Sequence, residues 1–77
     1  MAIVTRFSKV TKERTGRPTS VECGFCKVEI DGTCYLMLET YGSEHRANPG
    51  KPSQSLHIDR AAAMELKELL EEHFPGI

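Results

Sequence analysis

Apolar and polar positions alternate in short runs between residues 3 and 58, and a helical spacing replaces the alternation near residue 59. Residues 3–10 alternate imperfectly, and residues 21–30 and 34–41 are longer runs rich in β-forming side chains. A short run at 54–58 follows a polar stretch with several Gly and Pro residues at 42–52. Because successive side chains of a strand point to opposite faces, these four runs predict four β-strands.

An Asp-Gly pair at positions 31–32 separates the second and third runs. A type I′ turn requires positive φ at both central residues, so this pair predicts a β-hairpin. Pairing across the turn sets Val28 opposite Tyr35 and Cys26 opposite Met37.

The third run has two different faces. Leu36 and Leu38 share one face, while Tyr35 and Tyr41 share the other. If the leucine side takes a helix, both tyrosines lie on the open side of the sheet. Gly24, inside the second run, predicts a bulge or a close backbone approach.

The last element is an amphipathic helix over 59–74. Asp59 is a good N-cap, and Ile58 before it can pack on Ala63 one turn into the helix. Pro75 and Gly76 end the helix. Its apolar positions recur every three or four residues: Ala62, Ala63, Leu66, Leu69, Leu70 and Phe74.

These elements predict one α+β domain over 1–77, a four-stranded antiparallel sheet with one C-terminal helix on one face (ββββα). Residues 1–20 form a basic N-terminal strand and flexible loop, 21–58 the remaining antiparallel strands, and 59–74 the helix. A chain of 77 residues buries a small core. Self-association is the simplest supplement, so we expect a homodimer.

Charge divides the chain although the formal net charge is only -1. The first twenty residues carry five basic side chains against one acidic, whereas the helical end is acidic. This split indicates a basic face, which favours a polyanionic partner, and an acidic back turned away from it. No long apolar run suggests a signal peptide or a membrane span. With three cysteines, an odd number, we expect a reduced protein of the cytoplasm.

The cysteines also raise a metal-binding alternative. Cys23 and Cys26 form a CxxC, and Cys34 could join them in a zinc-stabilised module. A structural zinc site usually pairs two such knuckles, and a regular strand would turn Cys23 and Cys26 to opposite faces. We therefore expect no metal and no other cofactor. No nucleophile, paired-carboxylate or phosphate-binding pattern is visible, so we expect no enzyme, and we interpret the histidines as solvated or hydrogen-bonded.

Nucleic-acid binding is the remaining chemistry. Single strands are held by cations that follow the phosphates and by aromatic rings on which bases stack. Arg46 and Lys51 lie in the polar stretch 42–52, which the fold does not need for packing. We predict that replacing both by Ala preserves the melting temperature and weakens partner binding several-fold. The complete candidate set is Arg6, Lys9, Lys12, Arg14, Arg17, Tyr35, Tyr41, Arg46 and Lys51.

Three segments carry a family resemblance. The apolar stretch 32–41 after a tight turn, the Pro-Gly-Lys entry at 49–51 into Gln54–Ile58, and the helical leucines resemble the positive-cofactor-four type of single-stranded-DNA-binding transcriptional coactivator. The resemblance covers about half of the chain. It implies a homodimer that binds single strands and regulates transcription.

The chain departs from that family at two places. Pro52 and Ser53 stand where the family has glycine, and residues 61–63 are Ala where it has an early helical aromatic. The segments 40–43 and 51–54 also resemble those of short actinobacterial and phage proteins, a likeness that implies no activity. The alternative function is a small protein-interaction adaptor, a host- or phage-type regulator, that uses 42–52 or the acidic helix face.

Overall fold

The computed structural model describes residues 2–13, 16–41 and 54–77. Its elements confirm the ββββα order and the C-terminal helix. They are β1 (Ala2–Val4), β2 (Cys23–Ile30), β3 (Thr33–Thr40), β4 (Gln54–Ile58) and α1 (Arg60–His73). None of the helices in these residues is both long and apolar enough to cross a membrane.

The four strands form a mixed sheet in the order β1-β4-β3-β2. β2 with β3 and β3 with β4 pair antiparallel, but β1 pairs parallel with β4. The prediction of a purely antiparallel sheet is therefore wrong. Alternation along a strand reports which face each side chain takes, and it is the same for both strand directions.

The connection between β1 and β2 explains the parallel pair. β1 and β2 run in the same direction at opposite edges of the sheet, so residues 5–22 must travel back and across. Connections between parallel strands need a dozen or more residues, and this segment is long enough. No strand is assigned to its described residues, 5–13 and 16–22.

The first strand is also shorter than predicted. It ends at Val4, and Val10 is 70% exposed rather than packed in a sheet. The backbone N–H of Phe7 donates to Glu65 Oε1 on the helix at 2.8 Å, not to a neighbouring strand. Predicting a strand over 3–10 was wrong beyond Val4 because the chain turns to the helix there.

The hairpin is confirmed in turn and register. Asp31 and Gly32 both have positive φ, 49° and 81°, as a type I′ turn requires. Val28 pairs with Tyr35, and the ladder continues to the end of both strands. Positive φ costs energy for any residue with a Cβ, and Asp31 tolerates it because its side chain is short and polar.

The helix begins and ends close to the predicted bounds. Asp59 is the N-cap, and its Oδ1 accepts from the backbone N–H of Ala62 at 2.8 Å. The Asp59 backbone N–H also donates to Val4 O at 3.3 Å, which joins the start of the helix to the end of β1. The helix ends at Phe74, whose N–H donates to Leu70 O.

The register defines two sheet faces. Leu36 pairs with Ile58 and Leu38 with Leu56, so these four residues share what we call the leucine face. Tyr35, Met37 and His57 lie on the opposite tyrosine face. Leu36 and Ile58 line one cleft together with Ala63, Leu66 and Leu70, so the helix lies beside the leucine face.

Little of the molecule is fully buried. Among the described hydrophobic residues only Ile58 and Ala62 are buried, and they mark the junction of β4 with the helix. Among the described residues, large apolar side chains on β2, β3 and the helix are exposed, including Phe25, Leu36, Leu70 and Phe74. The described elements therefore leave apolar surface uncovered.

Candidate nucleic-acid interface

The tyrosine face carries three aromatic side chains: Tyr35 in β3, His57 in β4 and Tyr41 directly after β3. The ring of Tyr35 meets the edge of His57 at 6.1 Å between centroids, with an interplanar angle of 86°. Such edge-to-face contacts fix ring orientation. Tyr35 is half-buried, so part of its ring remains accessible on this face.

Tyr41 extends the same face toward β2. A Cβ built on Gly24 would lie 3.5 Å from the Tyr41 hydroxyl oxygen, so the tyrosine ring crosses the glycine. The ladder passes Gly24 without a bulge, and a Cβ there would make ordinary contact with Tyr41, so neither the bulge nor the close backbone approach predicted at Gly24 is observed. An aromatic residue covers this strand glycine. The Tyr41 O–H donates to Glu39 Oε1 at 2.9 Å, which holds the ring along the sheet.

His57 is the residue that sequence reasoning missed. Only 4% of its surface is exposed, and its Nδ1 has no hydrogen-bond partner within the described residues. The expectation of a solvated or hydrogen-bonded histidine was therefore wrong for this nitrogen. The signal was present, because Leu56 and Ile58 on the leucine face require His57 to point the other way.

Four of the predicted phosphate-binding residues are described, and all are exposed. Arg6, Lys9 and Lys12 follow β1, and Arg17 precedes β2, each outside the regular elements. Arg14, Arg46 and Lys51 lie outside the described residues.

One of these cations lies beside acidic residues. Phe7, Ser8 and Lys9 line a cleft whose other wall is the helix, with Glu65, Glu68, Leu69, Glu72 and His73. The acidic side of the helix is therefore not wholly turned away from the basic segment, as the charge pattern had suggested. Carboxylates at this position attract the segment and compete with an external polyanion.

The leucine face also carries a cation and an exposed aromatic residue. Lys27 pairs with Leu36, and Phe25 pairs with Leu38, so both side chains share that face at the edge strand β2. Phe25 is 76% exposed. An accessible aromatic residue next to a cation thus occurs on the side opposite the tyrosines as well.

The cysteines do not converge. Cys23 pairs with Thr40 and Cys26 with Met37 in an uninterrupted ladder, which turns the two thiols to opposite faces as predicted. Cys34 lies near Glu29, with 3.9 Å between Sγ and Oε2. All three are free and exposed, and the described residues contain no cluster of three metal-ligating side chains.

Comparisons with known proteins add no relative to this picture. No family, no curated protein and no solved structure matches the chain.

Proposed function

We propose that this chain is a non-enzymatic nucleic-acid-binding or regulatory module that prefers single-stranded DNA or RNA and acts as a homodimer. The observation that supports the proposal is the tyrosine face, where the half-buried Tyr35 and Tyr41 share the side of the sheet opposite the leucine-face cleft that the helix borders. The accessible parts of such rings are platforms on which bases stack, whatever their sequence.

The exposed cations are the proposed phosphate contacts. Arg6, Lys12 and Arg17 are exposed and lie outside the regular elements, and long basic side chains of this kind reach phosphates. Each phosphate that a protein neutralises on a single strand steepens the salt dependence of binding by about 0.7 in the log–log slope. The proposed role is regulation of transcription in the cytoplasm. Three free thiols fit a reducing compartment.

The test is a fluorescence-anisotropy titration with a labelled oligothymidine, its duplex and an RNA strand at two salt concentrations. Tyr35→Leu should weaken single-strand binding at least five-fold, since a stacked base contributes about 1–3 kcal/mol. Leucine keeps apolar bulk against His57 while it removes the ring.

Phe25→Leu is the matched control, because it removes an aromatic ring from the opposite face of the same sheet. Affinity should be unchanged in that variant. Equal losses in both variants would contradict the assignment of the tyrosine face. Absence of salt-dependent binding by the parent would overturn nucleic-acid binding itself.

A protein-interaction adaptor is the second candidate. It is favoured by the scatter of the described cations, since Lys9 lies beside the acidic helix and Lys27 on the leucine face. In that case the partner binds the acidic helix side or residues 42–52. Binding that persists at high salt and needs no nucleic acid would select the adaptor.

A further inference from the structure

The apolar arc of the helix is wider than the surface that its own sheet covers. Ala62, Leu66 and Leu69 point toward the rest of the chain and are buried or half-buried. A second stripe on the same helix stays accessible. Leu70 is 40% exposed and Phe74 is 59% exposed, and Ala63 lies about two turns before Leu70 and three turns before Phe74 on the same line.

This exposed stripe borders an apolar cleft. Leu36 and Ile58 of the leucine face form one wall, and Ala63, Leu66 and Leu70 form the other. Lys67 and Glu71 flank the helical wall, and Ile77 closes the end. A cleft with an apolar floor and charged margins has the anatomy of a protein–protein interface.

The apolar side chains around the cleft are accessible. Leu36, Leu70 and Ile77 line it and are 41%, 40% and 72% exposed, and Phe74 is 59% exposed. Covering them with a second copy removes this apolar surface from water, and a standard interface of this kind buries roughly 800 Å² per partner.

We propose that a second copy of this chain occupies the cleft, with the two α1 helices packed antiparallel about a twofold axis near residue 68. This inference rests on the proposed homodimer and assigns the surface that forms it. In a twofold interface the same patch serves both subunits, so it must be complementary to itself.

The residue spacing meets that requirement. In an antiparallel pair with the axis midway between residues 68 and 69, Ala63 lies at the level of Phe74 of the second copy, a small residue opposite a large one. Lys67 then lies within one residue of the level of Glu71 of the second copy, and the reciprocal pair forms on the other side of the axis. One register therefore matches both the apolar stripe and the charges.

The test compares two substitutions on the same helix by size-exclusion chromatography with light scattering at micromolar concentration. Phe74→Glu places a charge in the proposed contact and should convert the dimer to a monomer. Ala61→Glu adds the same charge at an exposed residue on the opposite side of the helix from Leu70, so this variant should remain dimeric. Circular dichroism checks that both variants are folded, and Leu70→Glu provides a second variant in the stripe.

Charge reversal tests the register. Lys67→Glu brings like charges together across the axis and should lower the dimer affinity several-fold. The double variant Lys67→Glu with Glu71→Lys restores opposite charges and should recover it. A double variant as weak as the single one would overturn the proposed register.

The outcomes separate the surface from the oligomeric state. A parent chain that is monomeric at these concentrations would overturn both the homodimer and the surface. A dimeric parent whose Phe74→Glu and Leu70→Glu variants also dimerise would overturn this surface and leave the homodimer intact. Neither outcome bears on nucleic-acid binding, which the oligonucleotide titration tests.

Discussion

His57 shows how strongly the neighbouring strands determine the environment of a single residue. It occupies a strand flanked by partners on both sides, and its ring packs against Tyr35 on the tyrosine face. A buried polar atom that lacks a partner costs about 1–3 kcal/mol. The sheet therefore tolerates a destabilising group at its centre.

Replacing His57 tests the free-energy cost of its unpartnered Nδ1. His57→Phe keeps a ring against Tyr35 and removes the unpartnered nitrogen, so we expect the melting temperature to rise. A domain of this size gains about 4–8 °C per kcal/mol. Thermal unfolding followed by circular dichroism measures the change.

His73→Phe is the control, because that histidine is exposed and its Nδ1 lies 2.9 Å from Leu69 O. Its melting temperature should not rise. A fall in the melting temperature of the His57 variant would show that the nitrogen has a stabilising partner after all.

Alternation along the strand places His57 on the face opposite Leu56 and Ile58, but it does not predict that His57 is buried. The face follows from alternation within Gln54–Ile58, which is local. Burial depends on the strands beside β4, and one of them is β1 from the far end of the chain. Gly24 shows the same limit, because a glycine within a strand predicts a bulge or close approach, whereas here the ladder is regular and Tyr41 leaves room for a Cβ.

At the scale of elements, local signals were enough where they acted within a few residues. The hairpin register follows from its two-residue turn, and the helix bounds follow from Asp59 and Pro75. Twelve residues separate Tyr41 from Gln54, so no turn fixes the β3–β4 register in advance. The direction of β1 could not be predicted either, because no short turn joins β1 to its partner β4.

The N-cap gives an element-scale prediction. Asp59→Ala removes the acceptor for the Ala62 N–H and should lower the stability by about 1 kcal/mol, with a lower melting temperature. Asp59→Asn retains an acceptor oxygen and should lose much less. Chemical denaturation of the three proteins measures the difference, and an Ala variant as stable as the parent would contradict the capping role.

At the scale of the whole molecule, the uncovered leucine-face cleft links stability to concentration. A ligand that binds only the folded state raises its stability by mass action, and a second copy of the chain is such a ligand. We expect the melting temperature of the parent to rise between micromolar and near-millimolar concentration. Phe74→Glu should melt at a temperature independent of concentration. A parent with no concentration dependence would argue against association.

The candidate site was only partly predictable at this scale. Both tyrosines share a face as alternation required, because that property belongs to one strand. The cations belong to segments without regular periodicity, so their positions depend on tertiary contacts such as the hydrogen bond from Phe7 to Glu65. Lys9 beside the acidic helix follows from that contact and not from any pattern in the sequence.

The parallel pairing of β1 with β4 has a consequence for how the chain folds. Ala2 pairs with Leu56, so the sheet is completed by residues from nearly opposite ends of the sequence. Contacts between distant residues form slowly because closing a long segment costs entropy, whereas the hairpin closes over two residues. During synthesis β1 must wait for β4, while β2 and β3 are already together. The first strand should therefore join last and leave first, and its amide hydrogens should exchange with solvent well before those of the hairpin.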